Sequence, residues 1–211
     1  MSAPNHMGNA ELSHPSGPEL RSRRTRRRII DAFLQLATLR DLHDIDVQDV
    51  TREAGLNRST FYLHFSGRQD LRNEVIALLI AEVTAGGDAL LNSAHPDLDR
   101  MRADWHDTLF SSIAARPVLF GRLLGQSEPE SFAEELCRHH ERALLILWAH
   151  MDYTSSPSGA PLAIWARFTA EGVNAVIRLW LDTGMQESPE ALSRWIWNLC
   201  FPRHLLPTAS A

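Results

Sequence analysis

The chain has 211 residues, 44% of them hydrophobic, which is enough to bury one sizeable core or two modest ones. Its longest apolar runs, Val75 to Ala81 and Ala143 to Ala149, are far shorter than the roughly 20 residues that span a bilayer, so no membrane partner is expected. The net charge of −5 is unevenly placed. Residues 1–72 carry 11 arginines against 9 acidic residues, whereas residues 73–211 carry 10 against 17, which indicates different partners for the two parts.

The first 20 residues lack the cationic start and apolar stretch of a secretory signal. We therefore expect a cytoplasmic protein in which residues 1–20 form a disordered tail. Cys137 and Cys200 are then expected to be reduced, buried thiols, with a redox switch as the alternative.

A basic segment opens the first predicted helix, with six arginines among residues 21–28. It runs directly into IIDAFLQLA, where Ile29 and Phe33 share one helical face. Arginines at the start of a helix oppose its dipole, a cost that an anionic partner relieves. The pattern favours an arm that contacts phosphate over a solvated basic arm.

Residues 46–65 read as two short helices joined by a glycine turn. Asp46 suits the N-cap of the first helix, and Gly55 suits the left-handed residue that ends it. Asn57 can cap the second helix. In that helix the 100° step per residue places Phe61 and Phe65 together on a buried side.

The opposite side of the second helix carries a mixed set of side chains. Ser59 and Leu63 point away from Phe61, flanked by Arg58, Tyr62 and Thr60. Two short helices with a glycine turn and such an outward face are typical of a helix-turn-helix that reads a major groove.

The rest of the chain predicts further helices and no strands, so the fold class is all-α. Ser66 and Gln69 form a candidate capping box at the start of a connecting helix. Later helices are predicted at about residues 98–116, 118–124, 127–150, 161–183 and 188–199.

The last two helices suit a homodimer interface built as a four-helix arrangement, although burial within one protomer explains them nearly as well. The first has a narrow polar stripe formed by Arg167, Glu171, Asn174, Arg178 and Asp182 on an otherwise apolar circumference. The second presents Leu192, Trp195, Ile196 and Leu199 on one face.

An enzyme is not expected, because the sequence contains no Gly-x-Ser-x-Gly, phosphate-binding glycine loop, Cys-x-x-Cys or His-Glu-x-x-His. His139 and His140 are adjacent and point about 100° apart on a helix, which disfavours one shared metal ion. We predict no catalytic residues, metal or cofactor.

Residues 25–75 resemble the TetR (TetR/AcrR) family of transcriptional regulators, most closely through AGLNRSTFYLHFSGRQDL (residues 54–71). The resemblance implies an N-terminal three-helix helix-turn-helix DNA-binding domain (residues 21–66) and a larger C-terminal helical domain (residues 67–211) for effector binding and dimerisation. It implies a sequence-specific repressor released from an inverted-repeat operator in double-stranded DNA by a small-molecule effector. The alternative is a DNA-binding architectural or cell-division scaffold protein without inducible control.

The resemblance also implies roles for single residues. Phosphate contacts are expected from Thr60, Tyr62 and Arg68, and base contacts from Arg58, Ser59 and Leu63, with Asn57 in the same DNA-facing set. His64 is interpreted mainly as a packing residue. Asp46 departs from the threonine that the family often carries, and its carboxylate would be repelled by a phosphate.

A small-molecule pocket is implied in the C-terminal part. The candidate lining residues are Trp105, Phe110, His140, Trp148 and Phe168. For His140 a neutral core histidine is the favoured interpretation, and a polar group in the pocket is the alternative.

Overall fold

The computed structural model describes residues 17–85, 87, 100, 102–125, 131–156 and 158–201. These residues form an all-α structure without β-strands, which confirms the predicted fold class. A 3₁₀ turn (Leu42–Asp44) follows the first helix, and a π-helical turn (Arg102–His106) precedes the fifth. The α-helices of the described residues are α1 (Gly17–Leu39), α2 (Val47–Ala54), α3 (Arg58–Tyr62), α4 (Arg68–Thr84), α5 (Asp107–Ala115), α6 (Pro117–Leu124), α7 (Phe132–His150), α8 (Leu162–Asp182) and α9 (Pro189–Cys200).

The first helix begins earlier than the sequence predicts. Residues 17–20, assigned to the disordered tail, form the first turn of α1, and residues 1–16 lie outside the described residues. Glu19 occupies that first turn, so the arginines of residues 21–28 follow it and do not carry the predicted dipole penalty.

Helices α1, α2 and α3 pack around one end of an apolar core that continues into the C-terminal helices. Ile29 and Phe33 of α1 are buried with Val50 of α2 and with Phe61 and Phe65. These positions follow the helical period read from the sequence, so the predicted buried side of the helix-turn-helix is confirmed.

Helix α4 connects this core to the rest of the molecule, packing on α1 at one side and on α5 and α7 at the other. The predicted Ser66–Gln69 capping box is wrong. Gly67 is the N-cap, which shifts the third helical position to Asp70, and Asp70 accepts hydrogen bonds from the backbone and hydroxyl of Ser66.

The C-terminal helices pack mainly as two pairs, α7 with α8 and α5 with α9. Ser188 caps α9 and Pro189 is its first residue, as predicted. The N-cap of α7 is Ser131, so the predicted start near residue 127 is wrong, and residues 126–130 lie outside the described residues. Of the helix predicted over residues 98–116, the described part is Arg100, the π-helical turn and α5.

Two further findings concern the apolarity of the helices and the state of the two cysteines. No helix in the described ranges is long and apolar enough to cross a membrane. Both cysteines are free and buried, and burial raises the pKa of each thiol to about 12, which keeps them protonated and unreactive near neutral pH.

Candidate nucleic-acid interface

The turn between α2 and α3 is built by Gly55. Its φ of 62° and ψ of 40° lie in the left-handed region that glycine adopts without strain. The backbone N–H of Leu56 donates to the Thr51 carbonyl at 2.9 Å and closes the end of α2. This geometry sets the direction in which α3 leaves α2.

Helix α3 has one buried side and one exposed side. Phe61 and Phe65 are fully buried, whereas Leu63 is 81% exposed and Tyr62 51% exposed. Arg58 is also exposed on this outer side. Leu63 and Tyr62 thus form an exposed side of a helix that two buried phenylalanines hold in place.

The start of α3 is tied by Asn57. Its side-chain oxygen accepts the Thr60 backbone N–H at 2.7 Å and the Ser59 hydroxyl at 2.8 Å. The Asn57 amide group and the Ser59 oxygen lone pairs remain directed outward as a donor and an acceptor. Asn57 therefore acts first as the helix cap.

Arg68 lies at the beginning of α4, beside the 3₁₀ turn. Its guanidinium donates to the His43 carbonyl at 2.7 Å. This bond uses one of five N–H groups and positions the others at the surface, where Arg68 is exposed.

Two of the six arginines of α1 are structural, which the sequence did not reveal. Arg26 pairs with Glu74 of α4, donates to the His64 carbonyl and stacks on the Phe65 ring at 4.3 Å. Arg28 donates to the Ala54 carbonyl at 2.6 Å and so caps α2.

The other arginines of α1 have different environments. Arg21, Arg23 and Arg24 are exposed, and Arg27 pairs with Asp31 on its own helix. The predicted arm that contacts phosphate is therefore limited to the first three of the six arginines. The paired roles of Arg26 and Arg28 depend on partners 26 to 48 positions away, which helical periodicity does not report.

The N-terminus of α2 carries a reciprocal capping box. Asp46 accepts the Asp49 N–H at 2.8 Å, and Asp49 accepts the Asp46 N–H at 3.2 Å. The Arg40 guanidinium, 2.7 Å from Asp49, lowers the pKa of that carboxyl, with help from the Asp46 backbone. The predicted N-cap is confirmed, and Asp46 stays an exposed negative charge.

The predicted ligand-pocket residues lie in different packing environments. Trp105 stacks on His140 with ring centroids 5.6 Å apart, and both are buried. Phe110 is buried beside Trp180, and Trp148 is buried against Trp165 at 3.8 Å.

Phe168 does not line a pocket within the protomer. It is 77% exposed on the outer side of α8, so its interior assignment is wrong. The helical period showed that α8 is apolar around most of its circumference, but it could not show which side meets α7. The Arg167–Glu134 pair and the hydrogen bond from Asn174 to the Ala133 carbonyl decide this.

Buried histidines lie beside Trp105. Burial, together with the neighbouring His106 and His139, lowers the pKa of His140 well below its usual value, and burial lowers that of His106 to about 4. Both are therefore neutral near pH 7, as expected for the core interpretation of His140.

A cavity of about 540 Å³ lies between α4 and α7. Its α4 wall includes Ile76 and Ile80, and its α7 wall includes Arg138, His139 and Arg142. The sequence analysis missed this site because its two walls are about 60 residues apart in the chain.

Comparisons with known proteins match both parts of the chain. The family model described as "Bacterial regulatory proteins, tetR family" matches residues 29–75, and the one described as "Transcriptional regulator C-terminal region" matches residues 104–200. The chain belongs to the TetR family. Members of this family are non-enzymatic DNA-binding transcriptional regulators.

Similar TetR-family sequences are found in several bacteria. The HTH-type transcriptional regulator AlkX of Mycobacterium tuberculosis is 30% identical over 109 residues, which cover 48% of each protein. The HTH-type transcriptional regulator YxbF of Bacillus subtilis is 24% identical over 174 residues, 80% of this chain and 43% of that protein. The chain thus spans about half the length of the curated relatives it matches.

Solved structures show the same fold over nearly the whole length. The fatty acid degradation regulator FadR from Bacillus halodurans superposes with a TM-score of 0.65 at 17% identity, covering 92% of this chain and 100% of that one. A TetR transcriptional regulator from Streptococcus agalactiae gives a TM-score of 0.67 at 18% identity, with coverages of 87% and 97%.

Proposed function

We propose that the protein is a cytoplasmic transcriptional repressor that binds an inverted-repeat DNA operator as a homodimer and releases it on binding a small molecule. The observation that carries this proposal is the outward face of α3. Leu63, Tyr62 and Arg58 stand exposed on a helix that is anchored by Phe61 and Phe65 and capped by Asn57.

Recognition is divided between base edges and phosphates. Arg58 suits guanine, Ser59 accepts or donates to several bases, and Leu63 fits the methyl group of thymine. Thr60, Tyr62 and Arg68 flank this face, where phosphate contacts fix the register of the protein on DNA. The hydrogen bond from Arg68 to the His43 carbonyl supports such a role, because it holds the guanidinium in place beforehand.

Dimerisation is supported by the outer faces of α8 and α9. Ile164, Phe168 and Leu179 form an exposed apolar row on α8, and Trp195 and Leu199 are exposed on α9. Exposed apolar side chains on these two helices suit an interaction site, and two copies together would form a four-helix interface. The dimer would place two α3 helices in successive major grooves about 34–36 Å apart or more.

Release follows from a two-state equilibrium of the dimer. An effector that binds the C-terminal part more tightly in one state favours a spacing of the two α3 helices that no longer matches successive grooves. Helix α4 is suited to transmit this change, because it packs on α1 at one side and on α5 and α7 at the other.

The test of DNA recognition is selection of binding sites from a random duplex pool by the purified protein. We expect an inverted repeat whose affinity falls steeply as salt rises, because arginine–phosphate contacts release counterions. Arg58→Ala should relax the preference at one base pair per half-site by about 1–3 kcal/mol. Tyr62→Phe and Arg68→Ala should weaken binding to all sequences. Arg178→Ala, on α8, should change neither the base preference nor the overall affinity for DNA.

A uniform loss of affinity from Arg58→Ala would contradict its role in reading bases. Mapping of bound sites along the genome separates a repressor from a DNA scaffold protein. Binding at a few promoters supports the proposal, whereas binding spread along the chromosome without response to any effector supports the scaffold.

A further inference from the structure

The cavity between α4 and α7 has two chemically different walls. Helix α4 contributes an apolar wall that includes Ile76, Ala77, Ile80 and Ala81. Ala77 and Ala81 are exposed, so the cavity opens to solvent as a groove along α4. Its volume of about 540 Å³ lies within the roughly 300–1,000 Å³ typical of small-molecule sites.

The α7 wall carries more positive than negative charge. Arg138 is neutralised by Glu135 at 2.8 Å. Arg142 has no carboxylate within 4.0 Å in the described part of the chain, and its one hydrogen bond there is a 3.4 Å contact with the Nδ1 of His139. The Arg142 guanidinium thus borders an apolar groove with most of its five N–H groups available.

We propose that the groove binds an amphiphilic organic anion, with the carboxylate or phosphate at Arg142 and an apolar tail against Ile76 and Ile80. Charge complementarity selects the anion, because a guanidinium forms paired hydrogen bonds to planar or tetrahedral oxyanions. The apolar α4 wall selects the tail, because its burial removes hydrocarbon from water. A neutral alcohol can bury its tail against α4 but cannot pair with the charge of Arg142. An organic cation is repelled by that charge.

The groove is connected through α4 to the helices that would bind DNA. This step rests on the proposed function, in which an effector releases the operator. Asn73 lines the groove, and the next residue, Glu74, holds Arg26 of α1. A ligand between α4 and α7 therefore acts on the helix that carries α1, and through it α2 and α3.

The binding test uses calorimetric titration of the purified full chain with decanoate, decyl phosphate, decan-1-ol and decylamine. Each is kept below its micelle concentration or, for decan-1-ol, below its solubility limit. Decanoate or decyl phosphate should bind at least about tenfold more tightly than decan-1-ol, as expected for hydrogen bonds to a charged group. The tighter of the two anions identifies the headgroup. Decan-1-ol binding as tightly as both anions would overturn the proposal.

Variants locate the site. Arg142→Ala should weaken binding of the anion about tenfold, and Arg142→Glu should reverse the preference in favour of decylamine. Ala77→Phe fills the groove at an exposed helical position and should abolish binding without unfolding the protein. Arg178→Ala removes the same charge from α8 and should leave binding unchanged. Unaltered anion affinity in both Arg142→Ala and Ala77→Phe would place the ligand elsewhere and refute the site.

Adding the same anion to the operator complex separates this inference from the proposed function. If the anion binds in the groove but leaves the operator complex intact, the binding site is supported and release of the operator by this ligand is refuted. The opposite outcome is also possible: the wild type binds no anion, and another compound releases the operator from the Ala77→Phe variant. That result would support the proposed effector-controlled regulator and refute the groove as its ligand site.

Discussion

At the scale of a single residue, Asp46 stabilises the fold but disfavours the proposed DNA binding. Its carboxylate accepts the Asp49 N–H and so stabilises the first turn of α2. The same carboxylate is exposed at the start of the helix-turn-helix, where DNA phosphates approach in the proposed complex. A hydroxyl at this position would keep the cap and remove the repulsion.

We therefore predict that Asp46→Ala lowers the free energy of unfolding by about 1 kcal/mol, whereas Asp46→Thr changes it little. Asp46→Thr should also tighten operator binding about fivefold, because removing one unscreened charge near a phosphate gains about 1 kcal/mol. Urea denaturation and DNA titration measure the two effects.

Gln48→Ala is the matched control, since Gln48 is exposed on the same helix and provides no cap. Equal stability of Asp46→Ala and Gln48→Ala would show that the cap contributes nothing. Weaker DNA binding by Asp46→Thr would show that the carboxylate makes a favourable contact.

At the scale of elements, α7 and α8 are joined by polar contacts as well as by apolar packing. Arg167 of α8 donates to Glu134 at 3.0 Å, and Asn174 donates to the Ala133 carbonyl at 2.8 Å. The hydrogen bond from Arg167 lowers the pKa of the Glu134 carboxyl. These contacts join Arg167 and Asn174 of the polar stripe to α7, while Ile164, Phe168 and Leu179 of α8 stay exposed.

The lowered pKa of Glu134 predicts a pH dependence of stability. Its contribution to the free energy of unfolding is fully present above its ordinary pKa of 4.5 and is lost as the pH falls through the lower pKa of the folded state. Both side chains are partly exposed, so the contribution is at most about 1 kcal/mol. Glu134→Gln should therefore reduce the acid-induced loss of stability, measured by urea denaturation between pH 3 and 7.

Glu53→Gln is the control for this experiment, because Glu53 is an exposed residue on α2. The same loss of stability in acid for Glu134→Gln and the wild type would mean that the ion pair with Arg167 adds no stability.

At the scale of the whole molecule, the exposed apolar rows of α8 and α9 predict a homodimer. Phe168→Glu and Leu199→Glu should give monomers at micromolar concentration, measured by sedimentation, because each change places a charge in a desolvated interface. Val118→Glu alters an exposed apolar residue on α6 and should leave the dimer intact. A wild-type monomer at that concentration would contradict the interface and weaken the proposed mode of operator binding.

The sequence predicted much of the helix-turn-helix and less of the C-terminal part. The cap at Asp46, the turn at Gly55 and the buried pair Phe61 and Phe65 were all predicted and are confirmed. The start of α7 was misplaced, because Ser127 and Ser131 both suit an N-cap from the sequence and the structure has the cap at Ser131. The capping box at Ser66 was wrong because Gly67 takes the N-cap position itself.

The sequence by itself determined several features that depend on residues within one helical turn: the cap at Asp46, the glycine turn and the side of each short helix that is apolar. Tertiary structure alone decided the use of Arg26 as a link to α4, the exposure of Phe168 and the groove that exposes Arg142. The physical reason is the range of the interactions. Local hydrogen bonds and helical periodicity involve neighbours in the chain, whereas the environment of an arginine or an apolar face depends on which distant helix packs against it.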